Sequence, residues 1–105
     1  MGRVFVTQRS YGKSLEPAKQ FGELNVILRA DETHGKCDSN TIFRKLEDAL
    51  KDYDPDEDFL LNIGAPHATG QAYSLIMEQT NGKITLLIWM RRTQEYIASP
   101  IDVDW

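Results

Sequence analysis

The chain has 105 residues, of which 41% are hydrophobic and 27% are charged, as is ordinary for one soluble globular domain. Its net charge of −4 argues against a general nucleic-acid binder, which needs a basic face. One cysteine, Cys37, excludes an internal disulfide framework, the apolar runs are too short to cross a bilayer, and the first residues lack a signal-peptide pattern. We therefore expect a single domain over residues 1–105 that works in a reducing compartment without membrane contact.

The first thirty residues predict two strands. Arg3–Gln8 is rich in β-branched and aromatic residues, which favours a strand. Glycines and a proline then indicate a loop over residues 10–22, with a short helical turn at residues 16–20. Alternation of apolar residues predicts a second strand over residues 23–30, with one face better buried than the other.

The middle of the chain predicts the clearest helix and a buried strand. Apolar residues recur at helical spacing over residues 40–53, and Ser39 or Asn40 is a suitable cap for this helix. Pro55 stops it. Residues 59–63 form an almost continuous apolar run, as expected of a strand that is covered on both faces.

The last forty residues predict a helix and a hairpin. A second helix is expected over residues 66–80. Lys83–Met90 is almost continuously apolar and is expected to be another buried central strand. A turn at residues 91–94 then leads into an alternating strand over residues 95–103, and Pro100 makes this an edge strand.

The predicted order of elements is ββαβαββ, which indicates an α/β fold with a mixed sheet of about five strands and two helices. We expect parallel strands across each helical crossover and an antiparallel final hairpin. The pattern leaves open whether the two helices cover one face of the sheet or both.

The turn between the third strand and the second helix is the strongest candidate for a ligand site. Gly64, His67, Thr69 and Gly70 lie in it, and in open α/β sheets ligands bind beyond the carboxyl ends of the strands. The amides at the start of a helix favour an anion such as a phosphate. The alternative is a tight turn that needs glycine and proline for its geometry alone, and no GxGxxG pattern is present.

Four other patterns fail on spacing or on the number of ligands. Residues 11–14 are similar to the end of a phosphate-binding loop, but Thr7 stands where that loop needs glycine. The acidic run 52–58 lacks the glycine and glutamate of a calcium loop and is expected to be a solvated turn, with a docking patch for a basic partner as the alternative. His34 and Cys37 are too few for a closed zinc site, and no Ser-His-Asp setting is apparent. We therefore expect no catalytic residue, no metal and no cofactor.

The final hairpin and the carboxyl terminus supply candidates for an interface. A basic and aromatic surface is expected from Arg91, Arg92 and Tyr96, with Arg3 and Arg9 as further cations. Such a surface can stack on bases or anchor a protein contact. Trp89 is expected in the core, whereas Trp105 either packs back on the edge strand or lies in a dimer contact.

Several short segments together carry a resemblance over most of the chain: VFVTQ (4–8), PAKQFG (17–22), DEDFLL (56–61), NGK (81–83) and IW (88–89). In these segments the chain resembles a family of small proteins encoded by bacteriophages, a family without an assigned activity. Where that pattern often has aspartate, this chain has Ala65 and Met90, so any role shared by those acids is missing here. The resemblance implies a viral origin more than a function.

We therefore expect a small, non-enzymatic phage accessory protein that acts through contacts with a host or phage protein in the host cytoplasm. A homodimer formed through the edge strand and Trp105 fits this interpretation, because a bare sheet edge can pair with another chain. Two alternatives stay open: a nucleotide or phosphate-ligand binder that uses residues 64–70, and a structural component of the virion. The charge makes a nucleic-acid contact less expected.

Overall fold

The computed structural model describes residues 2–10, 12, 14–35 and 38–103, so the predictions for Cys37 and Trp105 lie outside the described residues. The elements in chain order are β1 (Arg3–Gln8), a 3₁₀ helix (Glu16–Phe21), β2 (Glu23–Leu28), α1 (Ser39–Leu50), β3 (Phe59–Leu61), α2 (Pro66–Gln79), β4 (Lys83–Met90) and β5 (Glu95–Asp102). They confirm the predicted α/β fold and its ββαβαββ order. The predicted bounds are wrong by up to three residues, chiefly at the carboxyl ends of β2, α1 and β3.

The five strands form one mixed sheet in the order β2-β1-β3-β4-β5. β1 pairs in parallel with β2 and with β3. β4 pairs with β5 as an antiparallel hairpin, as predicted. The parallel register between β3 and β4 is limited to Leu60 opposite Leu86, because β3 is only three residues long. The hairpin therefore continues past the point where its neighbour ends.

Both long helices lie on one face of the sheet, which resolves the question that the sequence left open. α1 and α2 pack against each other, and their apolar side chains share a core with Phe5, Leu60 and Ile84 of the strands. The 3₁₀ helix lies on the other face, where Ala18 shares a second core with Val4. We call these the helical face and the 3₁₀ face.

The local sequence explains the start and the orientation of α1. Ile42, Leu46 and Leu50 recur at a spacing of four and are buried on the helical face. The cap is Asp38, whose carboxylate accepts a hydrogen bond from the Asn40 amide at 3.0 Å. The prediction of Ser39 or Asn40 as the cap is wrong, because Asp38 is the last residue with extended backbone angles.

The burial of β4 departs from the prediction. Ile84 and Leu87 are buried, but Ile88, Trp89 and Met90 are exposed by 37% to 42%. The expectation that Trp89 packs in the core is therefore wrong. The reason is that β3 ends at Leu61, so the distal part of β4 has a strand neighbour only on the β5 side.

Candidate functional site

A cavity of about 400 Å³ lies at the carboxyl ends of β1, β2 and β3. The chain leaves β1 toward the 3₁₀ face and leaves β3 toward the helical face, so the two connections diverge here. Such a switch point is where α/β sheets usually bind ligands. The cavity is lined by Gln8, Arg9, Ser10, Ala30, Thr33, His34, Gly64 and Ala65.

The buried side chain of Gln8 occupies much of this switch point. Its amide nitrogen donates to the Arg29 carbonyl at 3.0 Å and to the Thr33 hydroxyl at 2.8 Å, and its amide oxygen accepts from the Ala65 amide at 2.8 Å. Gly64 has a φ of 130°, and a Cβ there would lie 2.5 Å from the Gln8 oxygen. Gln8 therefore ties the ends of β2 and β3 together, and Gly64 is required for this close approach.

The four residues predicted to bind an anion lie along the start of α2 without forming one pocket. Gly64 lines the cavity, whereas His67 and Gly70 are exposed on the helix. The Thr69 hydroxyl donates to the Pro66 carbonyl at 3.2 Å. The amides of Ala68 and Thr69 both donate to the Ala65 carbonyl, and proline has no amide to offer. Ligand binding by these residues stays a prediction.

A second candidate is the end of the β4–β5 hairpin, residues 88–97, which we call the distal hairpin. Ile88 lies opposite Ile97 and Trp89 lies opposite Tyr96, so the two pairs face opposite sides of the ribbon. Ile97 is 40% exposed, like its neighbours on β4. The turn is closed by a hydrogen bond of 2.8 Å from the Gln94 amide to the Met90 carbonyl. Large apolar side chains are thus presented on both sides of a two-stranded ribbon.

The predicted interface residues are brought together only in part. Arg91 and Arg92 lie exposed in the turn of the distal hairpin, close in sequence to Tyr96. Tyr96 is buried, not exposed, and Trp105 lies outside the described residues. The idea that Arg3 joins this basic surface is wrong, because its guanidinium is paired with carboxylates at the amino ends of the strands.

The outer edge of β5 is available for pairing only over part of its length. The Val103 amide donates to the Gly82 carbonyl at 3.1 Å, so it points toward the neighbouring strand. Because amide directions alternate along a strand, the amides of Tyr96 and Ala98 point away from the sheet, and Pro100 stands at the next outward position without an amide. The usable edge is therefore the part within or next to the distal hairpin.

A polar cluster at the amino ends of the strands was missed in the sequence, where the acidic run was expected to be solvated. Asp58 is only 3% exposed, and it accepts from the Arg3 guanidinium at 2.8 Å. Burial alone would raise the pKa of Asp58, but hydrogen bonds from Arg3 and from the Asp54 amide outweigh it, so the pKa lies below its usual value. Tyr53 bridges the Asp58 carbonyl and the Thr85 amide, and burial raises its pKa to about 12.

A signal for this cluster was present in the pattern of the strands. Val4 pairs with Phe59, so the residues just before them, Arg3 and Asp58, lie side by side. Aligning the starts of the two apolar runs would have predicted the ion pair. Its position is opposite to the switch point, and its groups are mutually satisfied, which indicates a structural role.

Over residues 2–10, 12, 14–35 and 38–103, no three His, Cys, Asp or Glu side chains come together in a way that could hold a metal ion. In the same part of the chain, neither long helix has the length and hydropathy required to span a bilayer.

Comparison with models of known protein families matched residues 2–103 to the family described as phage Pam3 gp32-like protein. The match extends over nearly the whole chain, and it confirms the resemblance to small bacteriophage proteins that the sequence suggested. Comparisons with curated proteins and with solved structures gave no match.

Proposed function

Because the chain belongs to the phage Pam3 gp32-like protein family, we propose that it is a non-enzymatic accessory protein that acts by protein contact in the host cytoplasm. The contact surface is the distal hairpin. Its first partner is a second copy of the same chain, so that the working form is a homodimer able to present its surfaces to a host or phage protein.

The observation that carries this proposal is the exposure of four large apolar side chains on one ribbon. Ile88, Trp89, Met90 and Ile97 are each 37% to 42% exposed. An isolated two-stranded hairpin is only marginally stable in water, and apolar groups clustered on a surface mark interaction sites. A partner that covers the ribbon would remove this apolar area from water and would hold the hairpin in place.

The edge of β5 supports a second copy as that partner. Antiparallel pairing of two identical edge strands is self-complementary, as a two-fold dimer requires. The outward amides of Tyr96 and Ala98 lie in the part of the edge that such pairing would use, whereas Pro100 prevents the pairing from extending further. The pairing would bring Ile97 of one copy near Ile97 of its partner.

Among the described residues, four of the five groups with a shifted pKa belong to clusters that serve the fold, and the fifth, Tyr96, is raised by burial. Perturbed pKa values cluster in clefts at active sites. Here the groups with shifted pKa values include Arg3, Tyr53 and Asp58, which form the satisfied cluster at the amino ends of the strands. Glu32 is paired with Lys45 and holds a loop against α1. Each shift in these two clusters follows from burial or an ion pair that serves the fold.

A second candidate, phosphate-ligand binding, is favoured by the cavity at the switch point. Arg9 and His34 line it and could contact an anion. This candidate predicts that ATP or inorganic phosphate raises the melting temperature and that Arg9→Ala removes the rise. The contact proposal predicts no rise, because Gln8 already occupies the Ala65 amide.

The experiment for the main proposal is sedimentation equilibrium of the wild-type protein and two lysine variants. Ile97→Lys places a charge on the distal hairpin, and Phe43→Lys places one on α1, where the phenyl ring is 38% exposed. The two native side chains are almost equally exposed, so the variants differ mainly in location. We expect a concentration-dependent dimer for the wild type and Phe43→Lys, and a monomer for Ile97→Lys.

Two results would contradict the proposal. A wild-type mass that stays at the monomer value at all concentrations would remove the homodimer. Equal dissociation by both lysine variants would show that the distal hairpin has no special part in the contact. A virion role would be indicated instead if the protein were recovered in stoichiometric amount from purified particles.

A further inference from the structure

An open cleft of about 410 Å³ lies on the 3₁₀ face, between the distal hairpin and the segment that leads into the 3₁₀ helix. Its aromatic wall is the pair Trp89 and Tyr96, whose ring centroids are 4.9 Å apart in an edge-to-face arrangement. Pro17 is the apolar residue on the other side, and the cleft is completed by Gly12, Ser14 and Gln94. Its volume lies within the usual range for ligand sites.

Tyr96 brings a phenol group to the lining of this cleft. Tyr96 as a whole is only 5% exposed, and burial raises its pKa. Among the residues that the structure describes, no hydrogen bond to this hydroxyl is present. Among the described residues, Oε1 of Gln71 is the enclosed side-chain polar atom without a partner, so the Tyr96 hydroxyl is not trapped unsatisfied in the core. Buried phenols usually find a partner, and at the cleft either water or a bound ligand can supply it.

The side chains that line the cleft indicate which class of ligand it can bind. Within the part of the chain that the structure describes, none of the side chains that line the cleft is charged, which suits a neutral group. Three of the lining side chains carry donors: Tyr96 has its hydroxyl, Trp89 has an indole N–H, and Ser14 keeps its O–H although its oxygen accepts from the Glu16 amide at 3.3 Å. A ligand with apolar faces and many acceptors, but few donors, would match this set.

We propose that the cleft binds an extended, proline-containing peptide segment of a partner protein in the polyproline II conformation. Such a segment has no internal hydrogen bonds, so its carbonyls are free to accept, and its prolines lack the amide that would need an acceptor. Aromatic-lined grooves are the usual sites for these segments. The inference rests on the proposed function, because it names the class of partner that the 3₁₀ face of the distal hairpin takes.

A stacked nucleobase fits the cleft less well. Single-stranded nucleic acids need a cationic groove along the backbone as well as aromatic platforms. Arg91 and Arg92 lie in the turn and do not line the cleft, and the whole chain is acidic. We therefore treat nucleic-acid binding as a competing outcome of the test.

The test is a fluorescence titration in which Trp89 is the sole tryptophan. The chain has two tryptophans, so Trp105→Phe supplies the background. The probes are acetylated decaproline, a Gly-Ser peptide of equal length and oligothymidylate, each at concentrations up to the millimolar range. We expect a saturable change of Trp89 emission with decaproline only.

Tyr96→Phe and Tyr73→Phe provide the matched pair of variants. Tyr96→Phe removes the hydroxyl and retains the ring, so we expect roughly three- to tenfold weaker decaproline binding from the loss of one hydrogen bond. Tyr73 lies on α2 at the helical face, so Tyr73→Phe should bind like the background protein. Circular dichroism checks that both variants are folded.

Three results would overturn the inference: no response to decaproline, an equal response to the Gly-Ser peptide, or saturable binding of oligothymidylate in its place. Failure here is distinct from failure of the homodimer. Ile97 faces the opposite side of the ribbon from Tyr96, so Ile97→Lys should dissociate the dimer and leave decaproline binding unchanged. Loss of peptide binding in Ile97→Lys would contradict the assignment of the cleft to the 3₁₀ face.

Discussion

Asp58→Asn retains the shape of a buried side chain and removes its charge. In the structure Oδ1 accepts from the Arg3 amide at 2.9 Å and from Nε at 3.4 Å, and Oδ2 accepts from Nη2 at 2.8 Å and from the Asp54 amide at 2.9 Å. Asparagine replaces one of these oxygens with an amino group that can only donate. Two of the four hydrogen bonds are therefore lost, and donors face one another in a buried site.

The expected cost follows from these two bonds. A hydrogen bond to a charged group contributes about 1.5–3 kcal/mol to the free energy of unfolding. The lower end applies because the Arg3 side chain is 35% exposed and can be solvated when its partner is removed. Two bonds then give about 3 kcal/mol, which lowers the melting temperature of a domain of this size by roughly 10–15 °C.

The pH dependence of this loss has a definite sign. The pKa of Asp58 is lower in the folded protein than in the unfolded chain, so its contribution is present above the unfolded pKa and is lost as the pH falls through the folded value. Protonated aspartic acid resembles asparagine in charge. The difference in melting temperature between wild type and Asp58→Asn should therefore be large at neutral pH and should shrink at about pH 3 and below.

Asp52→Asn is the matched control, measured by the same thermal unfolding experiment. Asp52 contacts the same guanidinium at 3.2 Å, but its side chain is 65% exposed. Removing the charge of Asp52 should change the free energy of unfolding by less than about 0.5 kcal/mol. Equal shifts for the two variants, or a difference that does not change with pH, would refute the reasoning.

Two further predictions concern groups that hold the sheet. Tyr53→Phe leaves the Asp58 carbonyl and the Thr85 amide without their partner, so urea denaturation should show a loss of about 1–3 kcal/mol, and a smaller loss would mean that water replaces the hydroxyl. Gly64→Ala should cost roughly 2–4 kcal/mol in the same assay, because its φ is 130° and its Cβ would meet a buried side chain. Gly70→Ala, which has open space in a helix, should instead stabilise by about 0.5–1 kcal/mol; equal effects of the two substitutions would contradict this account.

Local patterns in the sequence predicted which segments form helices and strands, because the buried side of most elements follows the spacing of their apolar residues. The spacing of Ile42, Leu46 and Leu50 defines the buried side of α1, and the run before Gly64 identifies a central strand. The bounds were less accurate because the ends depend on contacts between distant segments. β3, for example, ends at Leu61 although the apolar run continues to Ile63.

Features that depend on long-range register could not be predicted from local patterns. Lys83–Met90 looks uniformly apolar, yet its distal half is exposed because a neighbouring strand is short. Asp58 looks like one member of an acidic run, yet it is buried because it lies beside Arg3. Tyr96 and Pro17 are distant in sequence, and only the position of the 3₁₀ segment against the hairpin brings them to one cleft.

The most direct test of the central claim is amide hydrogen exchange of Tyr96 and Ala98, followed by NMR at low and high protein concentration. In the monomer these amides point away from the sheet, whereas those of Ile97 and Ser99 point toward β4. A dimer formed through the distal hairpin predicts that exchange at Tyr96 and Ala98 slows markedly as concentration rises, while Ile97 stays protected throughout. Fast exchange at Tyr96 and Ala98 at every concentration would contradict the account.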